Sequence, residues 1–143
     1  WATNWYTSDA QGRVDVNVVT YDNGTSATLD IDQASQFDWA TNWYTSDAQG
    51  RVDVNVLTYD NGASAVIDYD QANEFAWTSK WYRTDELGRV DVLVESYDDG
   101  TRAQMDYDQD GSQPWQSIWQ FYDASGALQV TVISYDDGSV FTF

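Results

Sequence analysis

Asp106-Tyr107-Asp108-Gln109-Asp110-Gly111 is the stretch of this 143-residue chain whose residue types and spacing most directly suggest chemistry. Alternate carboxylates followed by glycine match the core of calcium loops, where the acids converge on the cation and the glycine permits a sharp turn. Asp106, Asp108 and Asp110 are therefore the candidate metal ligands. The match is partial. Ser117 stands where a helix–loop–helix calcium site presents its bidentate glutamate, and the flanking sequence reads as strand. The equivalent stretches Asp30-Ile31-Asp32-Gln33 and Asp68-Tyr69-Asp70-Gln71 hold two carboxylates followed by alanine. The competing explanation is that these aspartates solvate a strand and start a link. No cofactor is required, and calcium is the one the spacing admits.

Aromatic side chains are the second candidate chemistry, because their faces stack on sugar rings. Tyr6, Tyr44, Tyr82 and Tyr122 fall on the polar side of the alternation described below and are the candidate ligand contacts. The tryptophans fall on the valine side, where the burial of large aromatics favours a core. Paired carboxylates can run acid–base chemistry in glycosidases. Here the acids recur along the chain and no pair is singled out, whereas catalytic pockets are unique and asymmetric. Histidine and cysteine are absent. That removes imidazole and thiol nucleophile systems, disulfides and the usual zinc ligands. The expectation is a protein that is not an enzyme.

What positions these residues is a 38-residue period. Trp1, Trp39, Trp77 and Trp115 stand in register, as do Trp5, Trp43, Trp81 and Trp119, Gly12, Gly50, Gly88 and Gly126, and Tyr21, Tyr59, Tyr97 and Tyr135. A period of this size marks a repeat architecture. The units are 1–38, 39–76, 77–114 and a shorter fourth, 115–143, and the first two differ at only 8 of 38 positions. The chain opens on Trp1 without methionine and stops inside the fourth unit, which reads as a fragment or a processed form.

Each unit holds three strand-like runs, A, B and C. In the first unit these are Trp1–Ser8, Arg13–Asp22 and Thr25–Asp32, separated by Asp9-Ala10-Gln11-Gly12 and Asn23-Gly24. Short β-branched runs with turn signals every ten or so residues predict an all-β antiparallel tandem-repeat array with three strands per unit. It would be an elongated or curled meander, or alternatively a closed barrel or propeller-like ring. A two-residue Asn23-Gly24 turn sets Val18 across from Leu29 and Val16 across from Ile31. It is preferred because a three-residue loop would place Val16 opposite Asp30. A four-residue Asp9–Gly12 loop sets Trp5 opposite Val16 and Trp1 opposite Thr20. One face would then carry tryptophan, valine and leucine in every unit, with successive units related by a flip that keeps that face inward. Val16, Val54, Val92 and Val130 are expected among the most buried residues, and Val54→Asp is expected to cost several kcal/mol.

Twenty-four acids against six bases give a net charge of −18. That repels phosphate backbones, so nucleic acid is excluded as a partner. No apolar run is long enough for membrane insertion.

The core W-x-x-x-W/Y-Y-x-x-D-x-x-G-x-v-x-x-x-v-x-x-Y-D-D/N-G-T followed by a D-Y-D element, plainest over 77–110 and 115–138, resembles tandem repeats of large secreted alphaproteobacterial surface proteins. Such repeats occur beside calcium-binding RTX nonapeptides and loosely resemble YD repeats. The nonapeptide itself is missing. The resemblance implies a secreted or cell-surface protein exported without disulfides. The expected function is a structural or adhesive repeat segment that self-assembles into a filament, head-to-tail or edge-to-edge, or continues as further repeats of the same chain. The alternative is a carbohydrate-binding module that takes glycans on exposed aromatics.

Overall fold

The structure, a computed structural model, describes residues 2–143. Twelve strands form one antiparallel sheet in which sequence order is spatial order. They are β1 (Thr3–Ser8), β2 (Val14–Thr20), β3 (Ser26–Ile31), β4 (Trp39–Ser46), β5 (Val52–Tyr59), β6 (Ser64–Tyr69), β7 (Trp77–Thr84), β8 (Val90–Tyr97), β9 (Arg102–Tyr107), β10 (Trp115–Tyr122), β11 (Leu128–Tyr135) and β12 (Val140–Thr142). Among the described residues there is no helix, and hence none long and apolar enough to cross a membrane. Each strand packs only against its neighbours in sequence, so the sheet is a single open layer and neither a barrel nor a ring.

Both hairpins of a unit use a three-residue loop. Tyr21 donates its N–H to the Thr25 carbonyl (2.9 Å) and accepts from Gly24 N–H (3.0 Å), enclosing Asp22-Asn23-Gly24 with Gly24 at φ +86°. The first hairpin closes the same way between Asp9 and Arg13 around Ala10-Gln11-Gly12. A left-handed third residue is what this loop class needs, which is why glycine holds that column. Gly100, at φ +84°, also lies where an added Cβ would stand 3.1 Å from the Ala124 Cβ, whereas one at Gly12 would meet open space. Gly12→Ala should therefore cost about 1 kcal/mol of backbone strain. Gly100→Ala should cost about twice that, and denaturant titration of the two variants compares them directly.

The three-residue loop overturns the expected register. Val16 pairs with Asp30, Val18 with Thr28, and Leu29 with Asn17. On the A–B side the loop alone would set Trp5 against Asn17, and a β-bulge between Tyr6 and Ser8 adds one more step, so Trp5 pairs with Val18 and Thr3, not Trp1, faces Thr20. Trp1 itself lies outside the described residues. Directly paired residues project from the same face. Trp5 and Val18 therefore share one face, the back, and Ala27, Leu29 and Ile31 the other, the front. In the next unit Trp43 and Val56 are on the front with Leu29, while Ile67 is on the back with Trp81 and Val94. Met105, Trp119 and Val132 return to the front. Equivalent residues alternate faces from unit to unit.

Geometry requires this alternation. Three strands per unit reverse the chain direction at every repeat, and identical junctions need the same operation each time. A two-fold about the sheet normal would carry the third unit back onto the first. The operation that both reverses the strands and advances is a two-fold screw along the direction of growth, and it exchanges the faces. The expected flip that kept one face inward does not occur.

The expected apolar core therefore does not exist as one face. Val16, Val54, Val92 and Val130 are half-buried, and no described tryptophan is buried. Trp5 is 51% and Trp43 37% exposed. What packs instead is a triad of strand C of one unit with strands A and B of the next: Leu29–Trp43–Val56, Ile67–Trp81–Val94 and Met105–Trp119–Val132. The buried apolar residues are Val66, Ala103 and Met105, all on the front face. They lie where Leu93 replaces the Asn17 and Asn55 of the earlier units, so the apolar row runs from Val66 through Tyr82 and Leu93 to Met105 without a polar break.

Candidate functional site

The residues that converge in every unit lie where the A–B hairpin meets the C–A link. Asp9 accepts the N–H groups of Gln11 and Arg13, both at 2.9 Å, and Arg13 Nε at 2.7 Å. Arg13 also reaches the Gln33 carbonyl (3.0 Å), and Gln33 Nε2 donates to the Val14 carbonyl (2.7 Å). Asp47, Arg51 and Gln71 repeat this clasp contact for contact. Asp85 and Arg89 repeat the ion pair, and Gln109 again donates to the Val90 carbonyl. In the fourth unit Ala127 replaces the arginine, and Gln129 donates to Asp123 instead (2.6 Å). The carboxyls of Asp9, Asp47 and Asp85 lie below the usual range. Desolvation works against this, but the arginine's own N–H, its guanidinium and the adjacent amide outweigh it.

The second aspartate of each Asp-x-Asp caps the C–A link. Asp32 accepts Phe37 N–H (2.8 Å), Asp70 accepts Glu74 N–H (3.0 Å) and Phe75 N–H (2.7 Å), and Asp108 accepts Ser112 N–H (3.2 Å) and Gln113 N–H (2.8 Å). Asp110 accepts Ser112 N–H at 2.9 Å. Gly111, at φ +67°, occupies the left-handed turn position that Ser35 (φ 50°) and Asn73 (φ 55°) fill in the earlier units. The glycine of the calcium-like motif thus serves the link turn. Asp106 sits apart, on the back face opposite Val92 in the row that also holds Arg83. Among the described residues no three acids gather as a cation would need.

The first aspartates, Asp30, Asp68 and Asp106, are raised in pKa. Burial is the main cause, and nearby carboxylates, first Asp15, Asp53 and Asp91 respectively, add to it. A carboxyl raised on folding lowers stability as pH climbs from its unfolded value through its folded one. The cost is complete above the folded pKa and absent below 3.8, the reference value. Asp30 has no cation among the causes of its shift, so Asp30→Asn should stabilise the fold at pH 7 by about half a kcal/mol, the scale of a like-charge pair in a sheet. The gain should vanish in urea titrations near pH 3.

These groups line open grooves, one of about 540 Å³ between Asp9, Arg13, Asp30, Gln33, Phe37 and Trp39, and another of about 400 Å³ around Asp85, Arg89, Asp91, Asp106 and Asp108. At the groove in the first unit the Phe37 ring lies on Trp39, with centroids 5.2 Å apart and planes 6° apart, and Phe75 lies on Trp77 in the same way. The four candidate tyrosines do not form one row. Tyr6, 64% exposed, and Tyr82 are on the front face, whereas Tyr44 and Tyr122 are on the back. Tyr122 donates to Gln120 Oε1 (3.0 Å), and its ring lies under the Arg102 guanidinium (4.4 Å). Tyr44 stands with Asn42, Asn55, Ile67 and Tyr69 in a shallow depression, where the Asn55 amide donates to Asn42 Oδ1 (2.7 Å).

The clasp was missed from sequence, although the columns Asp9/Asp47/Asp85, Arg13/Arg51/Arg89 and Gln33/Gln71/Gln109 were visible in the period. Compared with family models and with curated proteins, the chain matches none.

Proposed function

We propose that the chain is a structural, adhesive β-repeat segment of a secreted or cell-surface protein, and that it extends by adding C-to-A junctions. Those junctions come from further units of the same chain or from a second copy. The observation that carries this reading is the junction itself, made three times in one register: Leu29 on Trp43, Ile67 on Trp81, Met105 on Trp119. The same rule seats Phe143 beside Trp5 and Phe141 beside Thr7 of the next copy, and Phe143 is 72% exposed. Four units are an even number of screw steps, so a second copy meets the first with its faces matched. Secretion rests on the resemblance of the repeats. The reading is non-catalytic and needs no cofactor, because the carboxylate grooves recur unit by unit and lie open. Nucleic acid is no partner for so acidic a chain. Calcium is weighed by titration: a melting temperature that rises with added calcium, and no longer does so in Asp108→Asn, would make the cation part of the link.

Because the chain has no cysteine, an engineered pair reports the junction cleanly. Thr7→Cys combined with Phe141→Cys should give a ladder of disulfide-linked oligomers on oxidation, while Asn4→Cys combined with Phe141→Cys should not. A chain that stays monomeric with the first pair would overturn end-to-end extension.

Carbohydrate recognition is the second reading, favoured by the tyrosine–asparagine depression at Tyr44, Asn42, Asn55 and Tyr69. It expects glycan-dependent changes in tryptophan fluorescence that disappear in Tyr44→Ala. A pure spacer shows neither.

A further inference from the structure

The front face carries two complete C–A–B triads, on β3–β5 and β9–β11, and no other described element packs on them. Trp43 is 37% exposed there. Between the two patches the front-facing charges are Asp68, Lys80 and Glu95 on β6–β8, with Lys80 and Glu95 paired at 3.0 Å. Seventeen of the 24 acids stand outside strands, in the turns and links along the two rims, so the negative charge frames the faces more than it covers them. The back face has one complete triad, and its rows hold Asp30, Arg83 and Asp106.

We infer that the front face is an interface between two copies of this chain, stacked face to face about a two-fold axis that crosses the strands along the row containing Trp43, Tyr82 and Trp119. Three observations select a second copy as the occupant. The patches repeat every six strands, about 29 Å at ordinary strand spacing, and a second copy reproduces that spacing by construction. The nine strands β3–β11 offer about 800 Å² per copy, the size of a standard specific interface. The axis also sorts the polar groups. It places Asp68 and Lys80 over the partner's Ser64 and Thr84, so these two charges meet hydroxyls while Glu95, already paired with Lys80, lies over Val90, and it places Ala27 over the position of Ile31, so small meets large. An axis parallel to the strands through β7 would instead set Lys80 over Lys80 and Asp68 over Glu95. Such an interface is isologous and closes at two copies. It uses a face and no edge, so it stands independently of end-to-end extension.

Sedimentation of the 143-residue chain tests it. At about 100 µM and about 0.5 M salt, where screening quiets the acidic rims, the expected mass is twice 16.2 kDa. Dimerisation should weaken at least tenfold at low salt. Trp43→Glu on the front face should abolish the dimer, while Trp81→Glu on the back face should leave it. Circular dichroism confirms that both variants remain folded. Nitroxide labels on Tyr82→Cys, in an otherwise intact chain, should lie within about 20 Å of each other, set by a sheet spacing of about 10 Å. A monomer at high salt, a dimer lost through Trp81→Glu alone, or labels far apart would overturn the inference. The Thr7–Phe141 disulfide ladder reads the edge junction separately, so either assembly can fail without the other.

Discussion

Met105→Asp should cost about 4 kcal/mol of stability. Met105 is 5% exposed, lies between Leu93 and Trp119, and has its sulfur 3.8 Å from the Tyr107 hydroxyl. A carboxylate there would lose its water without gaining a cation, because the paired positions on both sides are apolar. The same substitution at the equivalent Leu29 should cost about half as much. Leu29 is only half-buried, and its neighbour on β2 is Asn17 rather than leucine. Val54→Asp, which a one-faced core would make severe, should cost only about 1 kcal/mol on this half-exposed layer. Urea titrations of the three variants, with m-values to confirm that the same surface unfolds, give the ranking. Equal costs at Met105 and Leu29 would mean that burial along the front row does not set local stability.

That ranking also marks what the sequence could and could not convey. The period, the strand number and the turn positions were readable because tryptophan, glycine and β-branched columns report local backbone needs. The register was not. Asn23-Gly24 is a strong two-residue turn signal, yet Asp22 joins it in a three-residue loop whose last residue, Gly24, is left-handed. The two-residue choice rested on the premise that a sheet gathers its apolar residues on one face. An odd number of strands per repeat removes that premise, since the screw that propagates the array must exchange faces. Val16 opposite Asp30 looks like a spoiled face only within a single unit. Across units, Leu29 meets Trp43 and the apolar set is restored. The Asp-x-Asp-x-Asp-Gly stretch misled for a similar reason. Its glycine answers to a link turn that serine and asparagine fill elsewhere, and Asp106 points to a face while Asp108 caps a loop.

If the packing unit is C–A–B and not A–B–C, the phase at which an array is cut should change its stability at constant composition. Consider two arrays, each of three copies of the 39–76 unit, one beginning at Trp39 and the other permuted to begin at Ala63. Both have nine strands and identical residues. The first contains two C-to-A junctions and ends on a strand C without a partner tryptophan, while its opening tryptophan lacks a strand C. The permuted array completes three triads of the Ile67–Trp81–Val94 kind and gives up only one B-to-C pairing, whose front-face row is Val56 on Val66. The isoleucine–tryptophan pair gained covers more apolar area than the valine pair lost, and stability in repeat arrays is close to a sum over units and their interfaces. Half-burial of one more indole and its neighbours corresponds to about 2 kcal/mol. The permuted array should therefore melt several degrees higher and at higher urea. If the array cut at tryptophan proved equally stable, the triad would be a coincidence of register, and the sequence repeat would also be the folding unit.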